Sequence, residues 1–293
     1  MKKFLSSSNI FVRKESVVGV ENAANSTNYI GDKDLLNSLS FKSLGETSKV
    51  LSEDTAGIDS SYSLSIAGMV PMSTVDWPGK ICCTLFLQGC PWRCVYCHNF
   101  DILDPRKPGQ IPFGDVLQLL EKRNGLLDGV VFSGGEATRQ ESLLCAIKEV
   151  KNMGFSVGLH TAGAYPKKLA KLVEYVDWVG IDVKALPQDY SEVVGRANAG
   201  LKAYESLKIV LDSNVDYEVR LTVFPNSITS STAFDIAKKC SEMGVRNFAL
   251  QQARQEGAPE DFVASAVGWD EEFLEIGKQV ESLPFDVFHL RAS

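Results

Sequence analysis

Apolar and polar positions along this chain alternate with two different periods from about residue 64 onward. Short apolar runs of strand length take turns with segments whose apolar residues recur at helix spacing, such as Leu169, Leu172 and Val176. Strands are predicted at Leu64–Val70, Ile81–Leu87, Gly129–Ser133, Phe155–Leu159, Trp178–Val183, Tyr217–Val223, Phe248–Gln251 and Phe285–Leu290. Helices are predicted at Phe113–Arg123, Glu141–Met153, Pro166–Val176, Leu201–Leu211, Thr232–Met243 and Trp269–Val280.

The alternation predicts an α/β fold built from parallel βαβ units. Six strands, from Ile81–Leu87 to Phe248–Gln251, form the alternating series, and Leu64–Val70 is expected at an edge of the sheet. Such a sheet can close in two ways, as an open doubly wound sheet or as a barrel. Hydrophobic periodicity does not separate these two alternatives.

Polar residues at the ends of the strands favour the barrel. At the carboxyl ends of the six strands, in order, the chain carries a cysteine loop at 88–99, Ser133 to Glu136, His160 with Thr161, Asp182 with Lys184, Arg220 with Thr222, and Gln251 with Gln252. A doubly wound sheet concentrates its site at one switch point. Contributions from every strand are typical of a partial or full barrel around a central site.

Residues 1–62 differ from the rest of the chain. They are rich in serine, and their short apolar groups do not extend into any period. The sequence therefore predicts a disordered or weakly ordered extension at 1–62, followed by a folded domain at 63–293. An equally open alternative is that the working protein begins near Ser61.

Composition narrows the function class. The net charge is −7 and there is no dense run of Lys or Arg, so we expect no nucleic-acid partner. No stretch approaches the roughly 20 apolar residues of a membrane span, and no signal-peptide core follows the start. The seven cysteines are odd in number and form only one group. These features predict a cytoplasmic protein with reduced thiols rather than a disulfide framework.

The cysteine group is Cys90, Cys94 and Cys97, at C-x3-C-x2-C spacing directly after an apolar strand. Three thiolates suit an iron–sulfur cluster and leave one iron open. The alternative is a structural zinc site with His98 as the fourth ligand, as in a metal-binding interaction module. Adjacent residues such as Cys97 and His98 rarely chelate one tetrahedral ion, so iron and sulfide are favoured.

Two further groups point to an amino acid as the ligand. Gly134 and Gly135 let backbone approach a ligand closely, and strand-end carbonyls there can accept hydrogen bonds from an ammonium group. Asp182 and Lys184 are two residues apart and therefore share a face of the strand. Opposite charges side by side suit a zwitterion, although a plain ion pair at a strand end explains them as well.

Together these residues resemble the radical S-adenosylmethionine enzymes. The pattern Cys90-x3-Cys94-x-Tyr96-Cys97 resembles that family's cluster signature, and Gly134-Gly135-Glu136 resembles its methionine-binding motif. Within the family, the turn Val75-Asp76-Trp77-Pro78-Gly79 and the Asp182-Val183-Lys184 element look like those of activators of glycyl radical enzymes. Trp77 stands where pyruvate formate-lyase activators tend to have Gly, and in this respect the chain is more similar to anaerobic ribonucleoside-triphosphate reductase activating proteins.

The resemblance implies a partial (β/α)6 TIM-like barrel that holds a [4Fe–4S] cluster through Cys90, Cys94 and Cys97. It implies S-adenosylmethionine as the second cofactor, reductively cleaved to a 5′-deoxyadenosyl radical that takes hydrogen from a glycine of the partner enzyme. The residues that the resemblance assigns to S-adenosylmethionine are Tyr96 at the adenine, Gly134, Gly135 and Glu136 at the amino group, Asp182 and Lys184 at the methionine end, and Thr161, Arg220 and Gln251 with less defined contacts. An electron donor such as flavodoxin or ferredoxin is also implied.

Two positions depart from the pattern. His160-Thr161 stands where these activators often have Asp-Thr, a pair associated with a monovalent cation, and Gln251 stands about where some relatives have His. The alternatives within the family are an activator of pyruvate formate-lyase or another glycyl radical enzyme, and a radical enzyme acting on a small molecule, such as a carboxy-deazaguanine synthase.

Overall fold

A computed structural model describes residues 64–254, 262 and 269–292, so the extension predicted at 1–62 lies outside the described residues. Within them the chain forms one sheet of eight strands. The strands are β1 (Ile66–Ser73), β2 (Cys82–Leu87), β3 (Gly129–Gly134), β4 (Ser156–Thr161), β5 (Trp178–Asp182), β6 (Asp216–Val223), β7 (Asn247–Gln252) and β8 (Val287–Arg291). β1 runs antiparallel to β2, and every other pair of neighbours is parallel.

The strand order follows the sequence from β1 to β8 without a reversal. A doubly wound sheet reverses its order at a switch point, so that alternative is wrong. Consecutive parallel neighbours are instead the arrangement of a barrel wall. The six predicted strands are β2 to β7, flanked by antiparallel β1 on one edge and by β8 on the other.

The helices of the described residues are α1 (Phe113–Lys122), α2 (Leu143–Asn152), α3 (Pro166–Leu172), α4 (Tyr190–Val194), α5 (Ala199–Asp212), α6 (Ile228–Ser231), α7 (Ala233–Glu242) and α8 (Asp270–Glu281). None of them is long and apolar enough to cross a bilayer. α3 ends earlier than predicted because the amide of Tyr175 bonds the carbonyl of Leu172, which tightens the last turn. α4 and α6 are too short to show a period, and the sequence did not predict them.

The two faces of the sheet are filled differently. On the helix-covered face, Leu85 and Phe132 join a continuous buried core with residues of the amphipathic helices. On the other face a separate cluster contains Trp77 and Trp178, whose rings stack with centroids 5.7 Å apart. Gly158 leaves room for this pair, because a Cβ there would lie 3.0 Å from the Trp77 ring. Indole rings therefore fill the inner face near the amino ends of the strands, and polar residues follow toward the carboxyl ends.

Candidate cofactor site at the carboxyl ends of the strands

The cysteine loop, residues 88–99, follows β2 and is held by backbone hydrogen bonds from two directions. On one side the amide of Glu136, after β3, donates to the carbonyl of Gly89 at 3.0 Å. On the other side the amide of Arg93 donates to the carbonyl of Val194, at the end of α4, at 3.0 Å. Because α4 is a short helix without a sequence signal, this second anchor could not be predicted.

The three thiols of the loop are partly buried and unpaired. Burial raises the pKa of Cys90 to about 12 and that of Cys94 to about 11, and it also raises the pKa of Cys97. The positive charge of Lys184 opposes this rise in the pKa of all three thiols. The free thiols are therefore neutral, and binding of iron would release their protons.

This donor set fits a four-iron cluster. Three soft thiolates suit iron–sulfur ligation and leave one iron for another ligand. In residues 64–254, 262 and 269–292 no group of three or more His, Cys, Asp or Glu side chains is arranged around a single ion. An iron–sulfur cluster does not require its cysteines to converge on a single ion, because each cysteine binds a different iron.

The two glycines at the end of β3, Gly134 and Gly135, make room for the cysteine loop. Gly134 has a φ of +120°, and a Cβ there would overlap the backbone of Leu87. A Cβ on Gly135 would lie 2.5 Å from the carbonyl oxygen of Gly89. The side chain of Asn99 donates to the carbonyl of Gly134 at 3.3 Å. The glycine pair thus joins the end of β3 to the cysteine loop by direct backbone contact.

Glu136 braces two loops rather than facing open space. Its Oε1 accepts from the hydroxyls of Thr138 at 2.6 Å and Thr161 at 2.7 Å, and its Oε2 accepts from the amide of Ala162 at 2.9 Å. The residue is only 1% exposed. The hydroxyl of Thr161 also accepts from the amide of Gly163 at 3.0 Å. The resemblance implied ligand contacts for Glu136 and Thr161, and in the structure both side chains have protein partners.

Asp182 and Lys184 meet as their spacing predicts, although β5 ends at Asp182. Lys184 Nζ lies 3.0 Å from Asp182 Oδ2 and 3.4 Å from the hydroxyl of Tyr96. Burial disfavours both charges, but the mutual attraction outweighs it, so the pKa of Asp182 is lowered and that of Lys184 is raised. Both side chains are therefore charged at neutral pH. Tyr96, Asp182 and Lys184 form what we call the rim group.

Arg220 lies beside the rim group in the sheet, and its side chain contacts the indole cluster. Its Nε donates to Glu218 at 2.8 Å, and its guanidinium lies 5.1 Å from the ring centre of Trp178. Arg291 binds the same carboxylate of Glu218 through two nitrogens, at 2.9 and 2.7 Å. The resemblance assigns Arg220 a contact to S-adenosylmethionine, and in the structure the side chain belongs to an interior network with Glu218, Arg291 and His160.

His160 connects the interior network to the turn before β2. Its Nε2 lies 2.7 Å from the carbonyl of Asp76, and its Nδ1 lies 3.2 Å from the hydroxyl of Ser133. The carbonyl can only accept, so Nε2 carries the proton and Nδ1 accepts from Ser133. Burial, followed by the charge of Arg220, lowers the pKa of His160 to about 4. The imidazole is therefore neutral at physiological pH.

Sequence reasoning missed three functional neighbours of these groups. Asp76 accepts a 2.7 Å hydrogen bond from Thr84, and the hydroxyl of Tyr190 accepts one from the amide of Lys184 at 2.9 Å. Glu218 had a usable signal, because it stands two residues before Arg220, the same spacing that singled out Asp182 and Lys184. Gln251 was predicted as a ligand contact, and its amide donates to Thr222 at 2.8 Å.

Comparison with known proteins assigns the family. Residues 84–247, more than half of the chain, match the model of the radical SAM superfamily. A putative glycyl-radical enzyme activating enzyme of Methanocaldococcus jannaschii is 31% identical over 224 residues, which cover 73% of this chain and 90% of that relative. The pyruvate formate-lyase-activating enzyme of Clostridium pasteurianum is 31% identical over 53% of this chain and 66% of its own length. The pyruvate formate-lyase 1-activating enzyme of Escherichia coli is 30% identical over 58% and 72%.

Solved structures share the fold at low identity. SuiB of Streptococcus suis bound to S-adenosylmethionine superposes with a TM-score of 0.53, at 10% identity, over 70% of this chain and 48% of that chain. The structure described as anSMEcpe with bound AdoMet gives 0.51 at 14% identity, over 66% and 56%. The radical SAM fold and its cofactors, a [4Fe–4S] cluster and S-adenosylmethionine, agree with those expected from the cysteine loop. The chain therefore belongs to the radical SAM superfamily and, within it, to the activating enzymes of glycyl radical enzymes.

Proposed function

We propose that this activating enzyme acts on anaerobic ribonucleoside-triphosphate reductase and removes a hydrogen atom from a glycine of that partner. The observation that carries the choice of partner is Trp77, in the turn where activators of pyruvate formate-lyase tend to have glycine. The indole stacks on Trp178, and Gly129 and Gly158 leave space for it. Because glycines on both β3 and β4 accommodate this side chain, the tryptophan is part of the packing inside the barrel.

We assign the cluster to Cys90, Cys94 and Cys97. When bound, the cluster and S-adenosylmethionine supply the one-electron chemistry that removes the hydrogen atom. The charged pair of Asp182 and Lys184 receives the amino acid end of S-adenosylmethionine, since each charge complements one group of a zwitterion. The carbonyls after β3 offer further acceptors for its amino group.

In our proposal, the other residues predicted to contact S-adenosylmethionine act mainly by holding the loops and side chains of the site in place. Glu136 and Thr161 hold the loops after β3 and β4 at a fixed distance, and Gln251 is held by Thr222. Arg220 supports the rim group from the neighbouring strand, because the register of β5 and β6 pairs Arg220 with Asp182. A site held in this way keeps its geometry without reorganising when the ligand binds.

A second candidate partner is pyruvate formate-lyase. The observation that favours it is the similarity to activating enzymes of that lyase in two bacteria, each at least 30% identical over more than half of this chain. A flavodoxin or ferredoxin as electron donor, a cytoplasmic location, and the division into residues 1–62 and 63–293 stay predictions from the sequence.

Electron spin resonance distinguishes the two partners. The reduced enzyme is incubated under anaerobic conditions with S-adenosylmethionine and either the reductase or the lyase. We expect the doublet of a glycyl radical on the reductase and none on the lyase. A doublet on the lyase alone would transfer the proposal to the second candidate. Nucleoside release without a radical on either protein would favour a small-molecule substrate.

A further inference from the structure

We propose that Arg93 and Arg196, which we call the arginine pair, form the surface on which an acidic one-electron carrier protein docks to reduce the cluster. The inference rests on the proposed function, because it requires a cluster at Cys90, Cys94 and Cys97. It concerns an exposed side of the cysteine loop and a protein partner other than the glycyl radical enzyme.

The arginine pair binds three successive carbonyls of the cysteine loop. Nη1 of Arg93 donates to the carbonyls of Cys90 and Trp92, each at 3.1 Å. Nε of Arg196 donates to the carbonyl of Pro91, which lies between them in the sequence, at 3.1 Å. A carbonyl is a neutral acceptor, so these bonds hold the two guanidinium groups in place without cancelling their charge.

The end of α4 brings the two arginines to the same place. The amide of Arg93 donates to the carbonyl of Val194 at 3.0 Å. The helix is then terminated by Gly195, in the left-handed conformation with a φ of 66°, and Arg196 follows directly. A Cβ on Gly195 would lie 3.8 Å from the Cβ of Arg93. Two positively charged residues that are far apart in the sequence therefore become neighbours.

The charge of the arginine pair is not balanced locally. Both residues are exposed. Within the part of the chain that the structure describes, no ion pair includes either of them, and Glu192 on α4 does not reach them. Arg106 provides the contrast, because it is also exposed but pairs with Asp104 at 3.0 Å. The arginine pair thus keeps two positive charges for a partner.

This local charge selects an acidic protein. The chain has a net charge of −7, so most of its surface repels such a partner. An unbalanced positive pair gives the partner a favourable point of approach and steers the encounter. Val95 is 46% exposed and adds an apolar contact beside the pair, since its amide donates to the carbonyl of Val193 at 3.3 Å. Electron-transfer complexes bury less than about 1,200 Å², so few contacts suffice.

The position of the arginine pair suits electron transfer to the cluster. The bond from Arg93 to the carbonyl of Cys90 leaves one hydrogen bond between the guanidinium and the backbone of a proposed cluster ligand. Burial raises the pKa of Cys97, and the charge of Arg93 is among the effects that oppose this rise. One electron passes from the carrier, which is oxidised, to the cluster, which is reduced. No bond of this chain forms or breaks.

The glycyl radical partner has to act at a different group of residues. Its glycine must reach the S-adenosylmethionine that we place at the rim group. Among the described residues, no hydrogen bond or ion pair connects either arginine to Tyr96, Asp182 or Lys184. The carrier and the glycyl radical partner can therefore contact different residues of the enzyme.

The test measures carrier binding directly. The probes are an acidic flavodoxin and an acidic ferredoxin, and calorimetry gives their dissociation constants for anaerobic, cluster-loaded enzyme at several salt concentrations. In the double variant Arg93→Gln with Arg196→Gln, the amides can still donate to the loop carbonyls but the charges are gone. We expect this variant to bind the carrier about tenfold more weakly at low salt. The difference should disappear at high salt, which screens the charges.

Two further variants separate charge from structure. Arg93→Lys with Arg196→Lys keeps both charges and should bind the carrier within about threefold of wild type. Arg106→Gln is the matched control and should leave the affinity unchanged, because Asp104 already neutralises that arginine.

Reduction of the cluster gives a second readout through its visible absorption. The glutamine double variant should be reduced more slowly than wild type by the protein carrier. It should be reduced at the wild-type rate by light and deazariboflavin, a small uncharged reductant that needs no docking surface. Iron and sulfide content equal to wild type shows that the variants retain the cluster.

The outcomes separate the inference from the proposed function. The inference is wrong if wild type binds neither carrier at low salt, or if the glutamine variant binds both as tightly as wild type. Equal weakening in the glutamine and lysine variants would also contradict it, because loop structure rather than charge would then be lost. If the carrier binds and reduces the cluster but no radical forms on either glycyl radical protein, the proposed function fails and the inference stands.

Discussion

The inner face of the sheet carries two charged groups side by side, and they are built differently. In the interior network, Glu218 is completely buried and accepts three hydrogen bonds from Arg220 and Arg291. In the rim group, Asp182 is partly exposed, and its carboxylate contacts with the described residues use only one oxygen. The two groups are neighbours in the sheet, because Asp182 pairs with Arg220 in the register of β5 and β6.

The difference separates scaffold from binding site. A buried charge whose hydrogen-bonding capacity is filled has nothing to offer a ligand, and it is costly to disturb. A partly exposed charged pair with spare donors and acceptors can exchange water for a ligand. Removal of a charge should therefore destabilise the fold in the interior network and weaken ligand binding in the rim group.

The largest effect is expected outside both groups, at the cysteine loop. Cys94→Ser should abolish activity, because a hydroxyl replaces one of three thiolates that bind iron. The measurement is iron and sulfide content, with the visible absorption, after anaerobic reconstitution. Cys145→Ser, on α2, is the matched control and should keep the cluster. Equal cluster content in both variants would contradict the assignment of the loop.

The comparison itself is tested by one substitution in each group. Glu218→Gln should lower the free energy of unfolding by about 3 kcal/mol, since two arginines lose their buried counter-charge. Asp182→Asn should lower it less, by about 2 kcal/mol, because the carboxylate is one-third exposed and solvent screens part of the charge left on Lys184, and should weaken S-adenosylmethionine about tenfold. Urea unfolding and calorimetry give the two quantities. The distinction between the groups would be wrong if Asp182→Asn lost more stability than Glu218→Gln. It would also be wrong if Glu218→Gln weakened the binding of S-adenosylmethionine more than Asp182→Asn.

The pH dependence of stability should report on His160. The unfolded side chain titrates near pH 6.5, as in model peptides, and the folded one has its pKa lowered to about 4 by burial and Arg220. Between these values the unfolded chain binds a proton that the folded protein does not, so stability falls as the pH falls through this range.

His160→Gln should flatten that dependence, because the amide can still donate to the carbonyl of Asp76 but does not titrate. The measurement is the urea midpoint at several pH values, with wild type and variant both carrying the cluster, so that acid effects on the cluster cancel. The same slope in both proteins would show that His160 is not the titrating group.

The smallest effect concerns the brace at Glu136. Thr161→Val removes the hydroxyl that donates to Glu136 and accepts from the amide of Gly163. The expected loss is about 1–2 kcal/mol in the free energy of unfolding, as for a buried hydrogen bond. Thr161→Ser keeps the hydroxyl and should recover most of it. If valine and serine behave alike, the hydroxyl contributes nothing to the brace.

Much of this arrangement could be predicted from the sequence. The hydrophobic period predicted the α/β fold, and the polar residues at the strand ends predicted which strands carry the site. The two-residue spacing of Asp182 and Lys184 predicted that these side chains meet. The partners of Glu136 and Arg220 could not be predicted, because they come from loops and strands far along the chain. Thr161 is 25 residues from Glu136, and Arg291 is 73 residues from Glu218. Residue type alone does not say whether a charge will be saturated by the protein or left for a ligand.

The central claim is that this enzyme takes hydrogen from a glycine of its partner, and isotope transfer tests it most directly. The reductase is produced with glycine deuterated at the α-carbon and incubated anaerobically with the reduced enzyme and S-adenosylmethionine. The nucleoside product, 5′-deoxyadenosine, is then recovered, and its molecular mass is measured by mass spectrometry. We predict that it gains a single deuterium and that the Cys94→Ser variant yields none. Unlabelled nucleoside, released by the wild-type enzyme in the presence of every deuterated glycyl radical partner tried, would contradict the account.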